Sequence, residues 1–314
     1  MRRALALVAV LVAVAVGGPL LAPYGPVTRF ENHLHAPPMR LHLDGTGLYT
    51  HPLRLVDRLE QTFDEDAGQR VGLPWTTPIA TPVLLLGADG LGRDVLSRTL
   101  HGARASLGLA LVATAGTLLL GALLGGWAGM AGGLVERAVL KSGDVLMVLP
   151  VLYVVVALRS ALPLVLPLPT VVVVLATIFV VLGWPRIARG VWAIVRAEAR
   201  QEHVLAAIAL GATRWRVMTR HLLPACTGYL AVQTALLVPM FVLAEATLSY
   251  VGLGFPDGVP SWGTALTEAA TLASMTRAPW TLTPAVAMFL VVLATNVLLE
   301  PSRGGDASEV GRSG

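Results

Sequence analysis

Apolar runs of about the twenty residues that a bilayer crossing needs recur along this chain, and no other feature constrains its fold as much. Lipid offers no partner to backbone N–H and C=O groups, so such runs must be helices that bond internally. They are read at 4–22 and at about 105–130, 142–162, 169–186, 225–248 and 281–299. Six transmembrane helices make this an all-α polytopic membrane protein. Of the 314 residues, 55% are hydrophobic and only 13% charged, which sets aside an ordinary soluble domain. Pro150 falls within the third run, and Trp184, Pro185 and Arg186 close the fourth.

The longest polar interruption of the C-terminal two-thirds separates the fourth and fifth runs. Residues 187–224 hold six arginines (Arg189, Arg196, Arg200, Arg214, Arg216, Arg220) against two acids, Glu198 and Glu202. A basic loop of this kind stays in the cytoplasm, which puts both termini there as well. Its later part, 198–224, is patterned. His203, Ala206, Ala207 and Leu210 follow helical spacing. Gly211 suits a left-handed stop. Thr213 is placed to cap a second short helix with Trp215, Met218 and Leu222 on one face, and Pro224 restarts the chain. Helix, glycine turn and helix at a membrane surface form a shape suited to docking a partner.

The first run follows Arg2 and Arg3, as either a signal peptide or an uncleaved span. Its length, and Pro23 directly after Ala22, favour the span, so residues 1–23 are read as the first transmembrane helix. Residues 24–103 then form an enlarged first extracytoplasmic loop, polar and proline-bearing, with His33, His35, His42 and His51. The histidine spacing fits no zinc pattern. The stretch 54–70 is read as an amphipathic helix. Several arginines lie in this region, and a long loop crosses a membrane largely regardless of charge. Asp94 and Arg98, four residues apart, predict an ion pair on the helix that leads into the second span.

Within the runs, Gly121, Gly125 and Gly129 recur every fourth residue and predict a flat ridge for close helix packing. Glu136, Arg137 and Lys141 mark a short cytoplasmic turn, and Asp144 lies near the inner end of the third run. Glu245 lies near the outer end of the fifth. An ionisable residue in a span is a suspect for function, or a partner of another charge. Pairing with Arg159, near the outer end of the third run, is the preferred reading.

Several chemistries are set aside. The glycines of 87–92 are no phosphate loop, because no Gly-x-x-x-x-Gly-Lys-Ser/Thr occurs anywhere. The single cysteine, Cys226, excludes an internal disulfide and a cysteine-rich metal site. No histidine falls inside a predicted span, which argues against an intramembrane Ser/His or zinc enzyme. The net charge of +4 reflects topology and not nucleic acid, since no basic patch is interleaved with stacking aromatics. No catalytic, cofactor-binding or metal residue is therefore assigned.

Leu205-Ala206-Ala207, three residues, Gly211, nine residues, then His221-Leu222-Leu223-Pro224 resembles the EAA signature of permease subunits of bacterial ABC importers. Leu205 stands where that signature has its acid. The lead-in from Gly87 to Leu107 resembles that of dipeptide and oligopeptide importer permeases. So do Glu245–Gly254, Pro260-Ser261-Trp262-Gly263 and Ala278-Pro279-Trp280. The resemblance implies the dipeptide/oligopeptide/nickel branch, in the inner (cytoplasmic) membrane. It implies that Leu205, Ala206, Ala207, Gly211, Leu223 and Pro224 belong to a loop, within 187–224, that couples to a separate ATPase. It further implies a homologous second permease subunit, P-loop ATPase subunits and an extracytoplasmic substrate-binding protein. Residues 104–300 would be the importer's transmembrane domain and 301–314 a Gly/Ser-rich disordered cytoplasmic tail. The alternative is a stand-alone secondary carrier or channel. That class places several ionisable groups near the midplane, often within internal repeats. Here Asp144 and Glu245 lie towards opposite ends of their spans, and no repeat is evident.

Overall fold

The computed structural model describes residues 2–45, 47–58, 60–73, 75, 81–160, 167–256 and 258–299, with the backbone alone at 2–5, 151–152, 158–160, 272–273 and 298–299. Helix α1 (Arg2–Leu21) is followed by two antiparallel hairpins, β1 (His42–Asp44) with β2 (Gly47–Tyr49) and β3 (Leu53–Asp57) with β4 (Thr62–Glu65). The helical body comprises α2 (Val95–Ala131), α3 (Gly133–Val148), α4 (Val151–Ser160) and α5 (Leu168–Glu198). Three short helices follow, α6 (Glu202–Ala209), α7 (Arg214–Val217) and α8 (Leu223–Ala225), the last two separated by a π-turn at Met218–Leu222. Then come α9 (Thr227–Tyr250), α10 (Trp262–Ala269), α11 (Leu272–Arg277), a 3₁₀ turn at Pro279–Leu282 and α12 (Thr283–Leu299).

Among the described residues, four helices are long and apolar enough to cross a membrane by length and composition: Val95–Ala131, Leu168–Glu198, Thr227–Tyr250 and Pro279–Val297. A shorter apolar helix lies at Ala6–Leu21. The region read as a third span, 142–162, is not one helix over its described part. Leu149 is extended (ψ 121°) between α3 and α4, as the residue before a proline tends to be. Residues 161–166 lie outside the described residues, as does the tail 301–314.

The helix read as the second span reaches further than its hydrophobicity announced. Asp94 caps α2, accepting from the Ser97 N–H at 2.7 Å and the Ser97 hydroxyl at 2.6 Å. The helix then runs 37 residues, about 55 Å at the helical rise, against a hydrocarbon core of about 30 Å. α5 also continues past Pro185, where a span was expected to end, and α3 packs against that proline. A Cβ on Gly143 would sit 3.1 Å from the Pro185 ring.

The stretch 54–70 is a hairpin and not a helix. Burial alternates along β3, and Leu55 faces Phe63 across the pair. Leu53, Val71, Val83, Leu84, Ala36, Met39 and Ala88 form a small core of their own here. The main core is shared by α2, α5 and α9, with Phe179 and Phe241 stacked at 5.0 Å.

Candidate functional site

The basic loop folds as helix, turn, helix. Leu210 N–H donates to the Ala206 carbonyl at 3.0 Å, and Ala212 N–H donates to the Ala207 carbonyl at 3.0 Å. Between them Gly211 adopts φ +84°, a glycine-favouring value. The spacing of the two alanines and the glycine is thus that of a helix closed by a left-handed residue. Thr213 caps α7, accepting from the Arg216 N–H at 3.3 Å. Pro224 has no N–H to return to Arg220, and the ladder widens into the π-turn just before it.

Val204, Val217, Met218 and Leu222 are buried and seat the loop on the bundle. Trp215, placed by sequence on the same face as Met218 and Leu222, is 72% exposed instead. Leu205 and Ile208 are exposed as well, and Leu210 is 89% exposed. Ala206 is exposed, Ala207 half-buried, and a Cβ on Gly211 would meet nothing within 4 Å. The structure therefore gathers Leu205, Ala206, Ala207 and Gly211 at one open tip. Leu223 lies apart from them, half-buried and turned toward Gly126 of α2, and exposed Pro224 leads into α9. Arg189 pairs with Asp144 and Arg196 with Glu136, which ties the C-terminal half of α5 to α3.

The glycine ridge faces α5. A Cβ would lie 2.6 Å from Ile187 Cβ at Gly121, 2.2 Å from the Ala188 carbonyl oxygen at Gly125 and 2.8 Å from Val195 Cγ1 at Gly129.

Toward the C-terminal end of α9, Glu245 is fully buried. It accepts from the Ser106 hydroxyl at 2.7 Å and the Ser249 hydroxyl at 2.7 Å. Ser249 lies one turn along α9 from Glu245, a spacing legible in sequence; Ser106, on α2, was not. The Arg159 side chain, its expected partner, lies outside the described residues.

Arg98 does not pair with Asp94. Its guanidinium meets Asp89 at 2.6 Å and also Glu268 on α10; Arg93 meets Asp89 at 2.8 Å and Glu268 as well. Asp94 is occupied by Ser97 and turned into the helix end, so the i, i+4 geometry is unused. Burial alone would raise the Asp89 carboxyl, but backbone N–H groups and the two arginines hold it below the usual range. Among the described residues no group of three or more His, Cys, Asp or Glu is arranged to hold a metal ion.

Long apolar helices and glycine-mediated helix contacts mark a multi-pass membrane protein, with the 198–224 loop seated on its bundle and its apolar tip left open. Residues 118–300 match the family described as "Binding-protein-dependent transport system inner membrane component", and the chain belongs to that family. It is 36% identical over 196 residues to the oligopeptide transport system permease protein OppC of Bacillus subtilis, a match covering 62% of each chain. It is 34% identical over 215 residues to the di/tripeptide transport system permease protein DppC of Pseudomonas aeruginosa, covering 68% of each. It is 32% identical over 214 residues to the glutathione transport system permease protein GsiD of Pectobacterium atrosepticum, again covering 68% of each. The match spans less than two-thirds of the Bacillus oligopeptide permease.

Proposed function

We propose that this chain is one of two homologous permease subunits of an ATP-driven importer, and forms with its partner the path for peptides or a related small solute. Six helices cross the inner membrane with both termini in the cytoplasm; α1 and the broken pair α3–α4 complete the count begun by the four long spans. Separate P-loop ATPases dock on the 198–224 loop, and an extracytoplasmic binding protein delivers the solute. ATP favours the closed arrangement of the ATPases, and that preference shifts the permease pair between inward- and outward-facing states.

One observation carries the reading: exposed apolar residues, Leu205, Ile208, Leu210 and Trp215, flank the open, side-chain-free Gly211 in sequence, on a loop whose Val204, Val217, Met218 and Leu222 are buried in the bundle. Exposed apolar groups clustered on a rigid mount suit a protein partner. The small side chains of Ala206, Ala207 and Gly211 allow close approach. The family and the permease names of its relatives support the same reading, and a stand-alone carrier is not favoured.

Mild-detergent purification of the tagged chain from its native cell, with mass spectrometry of what accompanies it, tests the proposal. A paralogous permease and P-loop ATPases should come with it. A chain that purifies alone and transports alone would overturn it.

A further inference from the structure

A cleft of about 510 Å³ lies between the end of α3, the middle of α5 and α9. Leu146, Met147, Phe179, Leu182, Met240 and Phe241 give it apolar walls, and Arg186 is its one charged lining residue. The volume falls in the range that holds a small molecule. Further along α5, Arg189 pairs with Asp144 and Arg196 with Glu136, whereas Arg186 makes no ion pair among the described residues. A cation on a spanning helix faces protein or a water-filled cavity, not lipid.

The opposite wall carries the complementary feature. α3 stops at Val148, Leu149 is extended, and Pro150 has no N–H to offer the Leu146 carbonyl, which takes the Leu149 N–H instead. Interrupted backbone at membrane depth is tolerated where it is buried in protein or lines a cavity. Leu146, Met147 and Leu149 all line this one. The carbonyl end of a helix bears partial negative charge.

We propose that the cleft holds the transported solute within this subunit, and that the solute is a small zwitterion with apolar side chains. Arg186 takes its free carboxylate, and the carbonyl end of α3 faces its ammonium group. This rests on the importer reading and names the recognition chemistry of its path.

The test uses the complete complex in proteoliposomes with its binding protein, offered a defined library of di- to pentapeptides and their C-terminal amides. The ratio of acid to amide uptake is compared between wild type and Arg186→Gln, so that the binding protein's own preference cancels. The ratio should fall about tenfold or more in the variant, as expected for losing a charge-assisted contact, and recover in part with Arg186→Lys. Ala244→Phe, which fills the cleft, should exclude the longer peptides first. Equal loss of acid and amide would make Arg186 structural and overturn the inference. So would failure of Arg186→Gln to retain the second permease, because Arg186 would then hold the partner subunit and not the solute. A wild-type complex that imports no peptide would remove the peptide reading itself, an outcome separate from any result with the variants.

Discussion

Ser106 of α2 donates its hydroxyl to Glu245 of α9 at 2.7 Å, and the same hydroxyl accepts the backbone N–H of Trp262 at 3.0 Å. With Ser249 on the other carboxylate oxygen, and Ser249 accepting the Phe255 N–H at 3.2 Å, one acid draws two long helices, a turn and α10 together. Glu245→Leu would strand both hydroxyls in a buried site, at a cost of about 1–3 kcal/mol. Detergent-solubilised protein should show a clear fall in Tm, and Glu245→Gln, which keeps an acceptor and the shape, a smaller one. An unchanged Tm for Glu245→Leu would refute the anchoring role.

Two glycines of α2 should respond in opposite directions. A Cβ on Gly125 would meet the Ala188 backbone, oxygen at 2.2 Å and Cα at 2.8 Å, which cannot yield without moving α5. Gly125→Ala should destabilise by about 1–3 kcal/mol through overpacking. A Cβ on Gly108 would meet nothing within 4 Å, and Gly108→Ala should stabilise the helix by about 0.5–1 kcal/mol. Thermal unfolding of the pair in one detergent checks both signs.

Gly211→Val places a β-branched side chain at φ +84° on an open tip. The local strain is about 1–2 kcal/mol, too little to unfold the bundle, but bulk now projects where the ATPase is proposed to sit. Membrane levels should stay near wild type while uptake and recovery of the ATPase both collapse. Gly211→Asn, tolerant of the left-handed region, should be milder. Normal uptake by Gly211→Val would sink the docking assignment.

Asp94 predicts a pH dependence with a defined sign. Burial pushes its carboxyl from 3.8 up to about 6; the Ser97 bonds oppose this and the Asp89 charge adds to it. Below about pH 4 the proton is held in folded and unfolded chains alike. Between there and about 6 the unfolded chain releases it first, so stability falls as pH rises, by about 3 kcal/mol at 1.36 kcal/mol per unit. Asp94→Asn keeps a good cap and should remove that slope. Tm measured from pH 4 to 7 for both proteins decides it: parallel curves would reject the assignment.

The loop was legible because its determinants are local: helical spacing, a residue free to turn left-handed and a hydroxyl three residues before the N–H it caps. The spans were legible as depth but not as continuity. Hydropathy does not distinguish Pro150, which follows an extended residue and ends α3, from Pro185, which α5 runs through beneath Gly143. Partners far apart in sequence were beyond reach. Arg98 looked suited to Asp94 four residues away, yet its carboxylates come from Asp89 and from Glu268, 170 residues on. The 53–65 hairpin was hidden by charges that mimic an amphipathic helix, while its pairing depends on Leu55 finding Phe63.

The length of α2 has a mechanical consequence. It is a continuous rod, and among its glycines Gly125 makes the tightest approach to α5, six residues from the C-terminal end of α2 and thirty from its N-terminal end. A rod rocking about such a point has a short arm ending beside the basic loop and a long arm ending at the Asp94 cap. Small displacements applied to the short arm therefore arrive enlarged at the far end of the long one, and in the opposite sense.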